Sequence, residues 1–252
     1  MIRIYDGVLV CRQRMEEDPT GFALRNLALE ACNAQDTNIW VFDGANHNDF
    51  RRGFYPEYKA HREPAAEDVF AVIRLWKGLV KLTPAFSCEI EGFEADDVIA
   101  HLAIRYALLG HEVEIKSTDM DYRQLEVIPG IKVLARTLKD IPSKYIRLYK
   151  ATVGKPSDNI KGVPGFGKKT FEDAHPNTLD ALVSWFTGES DDLPEALPAR
   201  VKNAMASDPD HHRMIYQIVG PLAIDTDLVN RNLVVGQSNY SAIDQILTQY
   251  MQ

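Results

Sequence analysis

Residues 91–125 read EGFEADDVIAHLAIRYALLGHEVEIKSTDMDYRQL. The run 94–110 has a helix pattern: acidic in its first turn, apolar at helical spacing, closed by Gly110. HEVEIKSTD then shifts to strand periodicity and ends near Asp119. Working back toward the N-terminus, residues 64–82 open with Pro64 and carry Val69, Val72, Ile73, Trp76, Leu79 and Val80 at helical spacing. NIWVFD (38–43) is a buried-strand run ending at Asp43-Gly44, residues 22–32 are helical, and MIRIY is a short strand ending at Asp6-Gly7. Working forward, IKVLAR (131–136) adds a further strand. This alternation predicts an α/β fold, a mostly parallel sheet flanked by helices. Ligands in such sheets bind outside the carboxyl ends of the strands, where Asp6, Asp43 and Asp119 all fall. From about residue 150 the pattern turns helical with Pro/Gly loops. The expected division is therefore an α/β core over 1–150 and a helical subdomain with its tail over 151–252.

Composition narrows the class. The chain has 252 residues, 45% hydrophobic and 25% charged, which argues against disorder and coiled coil. No apolar run approaches the ~18 residues of a spanning helix, so no membrane partner is expected. The start, MIRIYDG, lacks the apolar core of a signal peptide, and Cys11, Cys32 and Cys88 form no CxxC pair. A cytoplasmic protein without disulfides or zinc is expected. The net charge of −8 looks wrong for a polyanion binder, but it is unevenly spread. Residues 132–169 carry ten Lys/Arg against Asp140 and Asp158, a net of +8, whereas residues 171–252 carry four against twelve, a net of −8. Such asymmetry fits a polyanion-binding patch beside solvated acidic surface.

Eight carboxylates are able to meet at the sheet edge: Asp6, Asp43, Glu94, Asp96, Asp97, Asp119, Asp121 and Asp158. Crowded carboxylates resist ionisation unless a cation sits among them. Hard oxygen donors suit Mg²⁺ or Mn²⁺, and two such ions can stabilise both oxygens of a phosphoryl displacement. Taken singly, each acid also reads as an N-cap, a turn former or a helix-dipole partner.

Two further segments suit nucleic acid. GKPSDNIKGVPGFGKKT (154–170) sets Gly162, Gly165 and Gly167 around Pro164 ahead of Lys168, Lys169 and Thr170. It lacks the Ser/Thr of a Walker A loop and suits a helix-hairpin-helix-like clamp on a DNA backbone. FRRGFYPEYKAHR (50–62) interleaves Arg51, Arg52, Lys59 and Arg62 with Phe50, Phe54, Tyr55 and Tyr58, a pattern that stacks bases and holds phosphates of a single strand. An ordinary Gly-rich loop and a solvated amphipathic helix are the plain alternatives.

In this order, YDG, VFDG…FRRGFYPEYKAHR, EGFEADDVIAHLA with STDMDYRQL, and SDNIKGVPGFGKKT resemble the 5′ nuclease family: flap endonucleases, phage 5′–3′ exonucleases and the 5′ nuclease domain of bacterial DNA polymerase I. The resemblance covers about residues 1–175. It implies a structure-selective enzyme that hydrolyses DNA at 5′ flaps, nicks or free 5′ ends, leaving a 5′-phosphate. It implies that Asp6, Asp43, Glu94, Asp96 and Asp97 build a first Mg²⁺ (or Mn²⁺) site, that Asp121 and Asp158 serve a second, and that Asp119 lies near both. Residues 47–82 would include a helical arch, with Tyr58, Lys59 and Arg62 catalytic at its start and Arg51 and Arg52 on DNA. Lys161, Gly162, Gly165, Phe166, Gly167, Lys168, Lys169 and Thr170 would clamp DNA, with K⁺ held on the backbone carbonyls of Thr152, Val153, Lys161, Val163 and Phe166. A monomer is expected. One departure matters: Lys155 stands where the family usually has Asp, so the second metal site is expected to be weakened. The rival that follows is a DNA-structure-binding protein with vestigial nuclease activity.

Overall fold

The computed structural model describes residues 1–18, 21–33, 35–63, 66–134 and 141–251. Pro64, expected to open a helix, and the last two residues of IKVLAR lie outside the described residues. In chain order the elements are β1 (Ile2–Asp6), α1 (Gly7–Glu17), α2 (Phe22–Ala31), β2 (Thr37–Asp43), α3 (Asp49–Phe54), α4 (Glu67–Val80), β3 (Phe86–Ile90), α5 (Ala95–Leu108), β4 (Val113–Lys116), β5 (Ile131–Val133) and α6 (Ile146–Val153). They continue with β6 (Gly154–Lys155), β7 (Ile160–Lys161), α7 (Lys168–Glu172), α8 (Pro176–Thr187), α9 (Ala199–Ser207), α10 (Pro209–Ile218), α11 (Thr226–Asn232), β8 (Leu233–Val235) and α12 (Tyr240–Tyr250).

The chain folds as two units: Met1–His47, Glu63–Thr137 and Ala223–Gln252 in the first, Asn48–Arg62 and Leu138–Leu222 in the second. This differs from the division expected at residue 150. Residues 48–62 fold with the C-terminal helices because Tyr58 is buried in their core. Residues 223–252 return to the sheet because β8 pairs with β3.

The first unit is a six-stranded sheet in the order β5-β4-β1-β2-β3-β8, parallel except for β8 at one edge. Alternation along each strand serves both faces. Ile2, Ile4, Ile39 and Val41 pack under α5, while Tyr5, Trp40 and Phe42 join Leu24, Leu27 and Trp76 opposite. Tyr5 and Trp40 sit side by side in register and stack at 4.0 Å. Burial on both faces is why NIWVFD reads as an unbroken apolar run. Strand β3 (FSCEI) and strand β8 lack such a run and are legible only from their pairing. Helix α1 follows β1 without a loop, because the Asp6 carboxylate accepts from the Leu9 N–H and caps it.

The second unit is built around Leu148, Phe171, Leu182, Trp185, Phe186 and Tyr216. Helices α6 and α7 flank the β6–β7 pair and the Gly-rich loop, a helix-hairpin-helix-like arrangement. Residues 176–218, which match no motif, supply helices α8 to α10.

Candidate metal centre and nucleic-acid interface

The acidic centre lies at the carboxyl ends of β1, β2 and β4 and the start of α5. A Cβ on Gly44 would fall 1.8 Å from the Ile90 carbonyl oxygen, so only glycine allows the chain to leave β2 beside β3. Asp43, just before it, accepts the Ala95 N–H at 2.8 Å and so ties β2 to the first turn of α5. That turn carries Asp96, half-buried, and Asp97, fully buried, behind buried Glu94. After β4, the Asp119 N–H donates to Ser117 Oγ, and Asp119 in turn accepts the Asp121 N–H at 2.8 Å. This tight turn aims Asp119 and Asp121 at α5. Among the described residues, Asp96, Asp119 and Asp121 each bring a carboxylate oxygen within 4.8 Å of the others.

Asp6 joins them through Tyr122, whose hydroxyl lies 3.1 Å from Asp6 Oδ2 and 2.6 Å from Asp96 Oδ1. One phenol proton cannot serve two carboxylates, so the second contact calls for a further proton. The electrostatics agree. Burial, with the charges of Asp43 and Asp119, raises Asp6 to about 7, although the Leu9 N–H and Tyr122 pull the other way. Burial, then Asp6, Glu94 and Asp119, pushes Asp96 well above the usual carboxylate range. Burial, then Asp6, Asp96 and Asp119, also pushes the Tyr122 phenol up. A hard divalent cation fits this donor set, because it would replace protons that hold like charges together. Tyr122 stands inside the STDMDYRQL block, but nothing in residue spacing shows that it bridges two acids; nor does it show that Gln13 of α1 donates to Thr118 beside Asp119.

A stability prediction follows. An acid raised in the folded state holds a proton that the unfolded chain has released, so folding is favoured below the unfolded value near 3.9 and progressively penalised as pH rises toward about 7. The metal-free protein is expected to melt at lower temperature at about pH 8 than at about pH 5, and Mg²⁺ to raise the melting point more at the higher pH. Equal Mg²⁺ shifts at both would contradict the crowding.

The second unit holds the other expected residues. Asp158 is buried; its Oδ1 accepts from Arg62 at 2.6 Å and its Oδ2 pairs with the Lys155 ammonium at 2.9 Å. Both oxygens are held by cations, which does not fit a divalent-ion ligand. Lys59 sits at φ 51, with its Nζ 5.0 Å over the Tyr58 ring. Several expectations need correction. Tyr58, expected to be catalytic, is 4% exposed and packs in the core. Arg51, expected on DNA, is buried with its guanidinium donating to the Ile218 and Gly220 carbonyls. Arg52 is half-buried and donates to the Tyr58 carbonyl. Phe166 is 2% exposed and serves the core with its ring. These side chains are amphipathic or aromatic, and spacing alone does not separate packing from binding. Phe50 and Phe54, by contrast, are exposed, with ring centroids 5.4 Å apart.

At the hairpin, β6 pairs with β7 and the Val163 N–H donates to the Thr152 carbonyl at 2.7 Å. A Cβ on Gly162 would lie 2.3 Å from that carbonyl oxygen. Lys161, Gly165, Gly167, Lys168 and Lys169 are exposed and Thr170 half-buried.

The described residues thus comprise a mostly parallel sheet with an acidic edge and a helix-hairpin-helix-like element. The chain matches the family described as 5′-3′ exonuclease, N-terminal resolvase-like domain, over residues 16–153, and it belongs to that family. It is 40% identical over 146 residues to the thermostable DNA polymerase I of Thermus thermophilus, covering 54% of this chain but only 17% of that protein. It is 30% identical over 176 residues to the flap endonuclease Xni of Sodalis glossinidius, covering 64% of this chain and 70% of that one. In fold it resembles the T5 D15 protein co-crystallised with metal ions, with a TM-score of 0.67 at 22% identity, over 99% of this chain and 96% of that one. The catalytic core of Rad2 in complex with a DNA substrate gives 0.53 at 12%, over 98% and 86%.

Proposed function

We propose that this protein is a structure-selective, divalent-metal-dependent 5′ nuclease, acting as a flap endonuclease and 5′–3′ exonuclease on DNA with 5′ flaps, nicks or free 5′ ends. The observation that carries the reading is the convergence of Asp96, Asp119 and Asp121 beside the Tyr122-bridged pair Asp6 and Asp96. Asp6, Asp96, Asp119 and Asp121 would hold the ion, with Asp43, Glu94 and Asp97 shaping the turn behind them. When bound, Mg²⁺ or Mn²⁺ supplies positive charge to the phosphoryl oxygens and lowers the pKa of water. Tyr122 fixes the spacing of Asp6 and Asp96. Residues 47–82 would include the arch over the 5′ strand, and Lys59 and Arg62 would offset charge near the scissile phosphate. Phe50 and Phe54 offer the exposed rings on which bases would stack. Lys161, Lys168 and Lys169 would contact duplex phosphates, and K⁺ would sit on the carbonyls of Thr152, Val153, Lys161, Val163 and Phe166. A monomer in the cytoplasm is part of the same reading. No helix among the described residues is long and apolar enough to cross a membrane.

A labelled 5′ flap incubated with Mg²⁺ and with Mn²⁺ tests it: cleavage near the junction with a 5′-phosphate is expected, with binding that weakens steeply as salt rises. The cations on Asp158 favour one alternative, a DNA-structure binder with vestigial activity. Binding without product under either ion would establish that alternative.

In the main reading the Lys155 ammonium takes the place of a second ion. Removing it in Lys155→Met leaves a buried carboxylate with one partner fewer, at an expected cost of about 1–3 kcal/mol in urea unfolding. In Lys155→Asp a second acid faces Asp158, and titration calorimetry is expected to count one more Mg²⁺ than in the parent protein. An unchanged count would mean that Lys155 does not substitute for an ion.

A further inference from the structure

Within the second unit, the turn that carries Lys59 is fastened to the loop around Asp158. The Lys59 N–H donates to the Asp158 carbonyl at 3.0 Å, and the Asn159 side-chain amide donates to the Glu57 carbonyl at 2.9 Å. The Tyr55 hydroxyl donates to the Asn159 carbonyl at 3.2 Å, and Arg62 Nε donates to the Ser157 carbonyl at 2.9 Å. Lys59 and Asn159 are also the two non-glycine residues of this contact with positive φ, at 51° and 59°. Asn adopts the left-handed region readily because its short amide bonds locally; Lys does not. A left-handed Lys persists only where its surroundings over-determine it, and here they do so through the loop 157–159. Asn159 is the hub. Its N–H closes a turn onto Pro156, its φ redirects the chain into β7, its carbonyl faces Tyr55, and its amide caps the Glu57 carbonyl two residues before Lys59.

We propose that Asn159 is a positioning residue for cleavage: it holds the Glu57–Lys59 turn in the strained conformation that presents the Lys59 ammonium, and it acts on the reaction through Lys59. This rests on the reading of the protein as a nuclease in which Lys59 meets the scissile phosphate. The contact is peripheral to the packing, because Ala60, His61 and Arg62 are exposed, while buried Tyr58 and Ile160 keep their neighbours in the core and buried Asp158 keeps its ion pairs with Arg62 and Lys155. Loss of the amide is therefore expected to loosen the turn and leave the unit folded.

The test measures single-turnover cleavage of a 5′ flap with Mg²⁺, and flap affinity with Ca²⁺ in its place. The proteins compared are the parent, Asn159→Ala, Asn159→Gly, Lys59→Ala and the double variant. Asn159→Ala is expected to slow cleavage about ten- to a hundredfold with affinity nearly unchanged, the size of effect that misplacing a group by about 1 Å produces. Asn159→Gly, which keeps left-handed freedom but lacks the amide, is expected to recover part of the loss. In the Lys59→Ala background, Asn159→Ala is expected to cost nothing more, because two residues that act as one do not add. Hydrogen exchange at the Lys59 amide is expected to quicken in Asn159→Ala.

Losses that multiply in the double variant, an unchanged rate in Asn159→Ala, or equal losses of rate and affinity would each overturn the proposal. So would protection of the Lys59 amide that is the same in both proteins. A parent protein that binds the flap but cuts it with neither Mg²⁺ nor Mn²⁺ would refute the nuclease reading itself and take the proposal with it. Faster exchange in that case would show only that the turn is fastened, not that it serves a reaction.

Discussion

Asp96→Asn is expected to lower flap cleavage by about a thousandfold or more, the several kcal/mol that a bound divalent ion contributes to a phosphoryl displacement. Flap binding with Ca²⁺ should persist, since the lysines and arginines proposed to hold phosphates lie elsewhere in the chain. The substitution keeps the shape of the side chain and its contact with the Tyr122 hydroxyl, now accepted by an amide oxygen. It removes one charge from a group whose neighbours Asp6, Glu94 and Asp119 all oppose its ionisation. The metal-free variant is therefore expected to melt at a higher temperature than the parent, and Mg²⁺ to stabilise it less. This combination, dead but more stable without metal, separates a ligand from an architectural acid. A variant that melts lower and no longer binds DNA would make Asp96 a structural residue.

Gly162→Ala is expected to have the next largest effect. Its Cβ would lie 2.3 Å from the Thr152 carbonyl oxygen and 2.5 Å from the Val153 carbonyl carbon. Neither is the end of a flexible side chain, so the hairpin itself must shift. Overpacking of this kind costs about 1–3 kcal/mol, enough to lower duplex affinity by about tenfold if the hairpin clamps DNA. Gly167→Ala is the matched control. A Cβ there meets no protein atom within 4 Å, so the hairpin and its melting temperature should hold. Equal behaviour of the two variants in a duplex-binding titration would mean that the close approach at residue 162 does not shape the DNA surface.

Much of the fold could be read directly. β1, β2, α2, α4, α5 and β4 announce themselves by periodicity and by strong ends, such as the acidic first turn of α5 and Gly110 beyond it. The acidic residues were legible because strands in a parallel sheet deliver their C-terminal residues to one edge. What was not legible has a common cause. β3 and β8 are specified by what they pair with, and β8 reaches β3 across more than a hundred residues of chain. Tyr58, Arg51 and Phe166 carry the chemistry of a binding surface, yet serve the core, because an aromatic ring or a guanidinium satisfies either role and only burial separates them.

The amino-acid order alone therefore settled the class of sheet, the family pattern and the collection of acids, since periodicity, capping and residue type are local properties. Tertiary structure decided which of those acids share space. It set Asp96, Asp119 and Asp121 together, placed Tyr122 between Asp6 and Asp96, and enclosed Asp158 between Lys155 and Arg62. The reason is that charge repulsion and hydrogen bonding act through distances of a few ångströms, and residues far apart in the chain reach such distances only when the fold is complete.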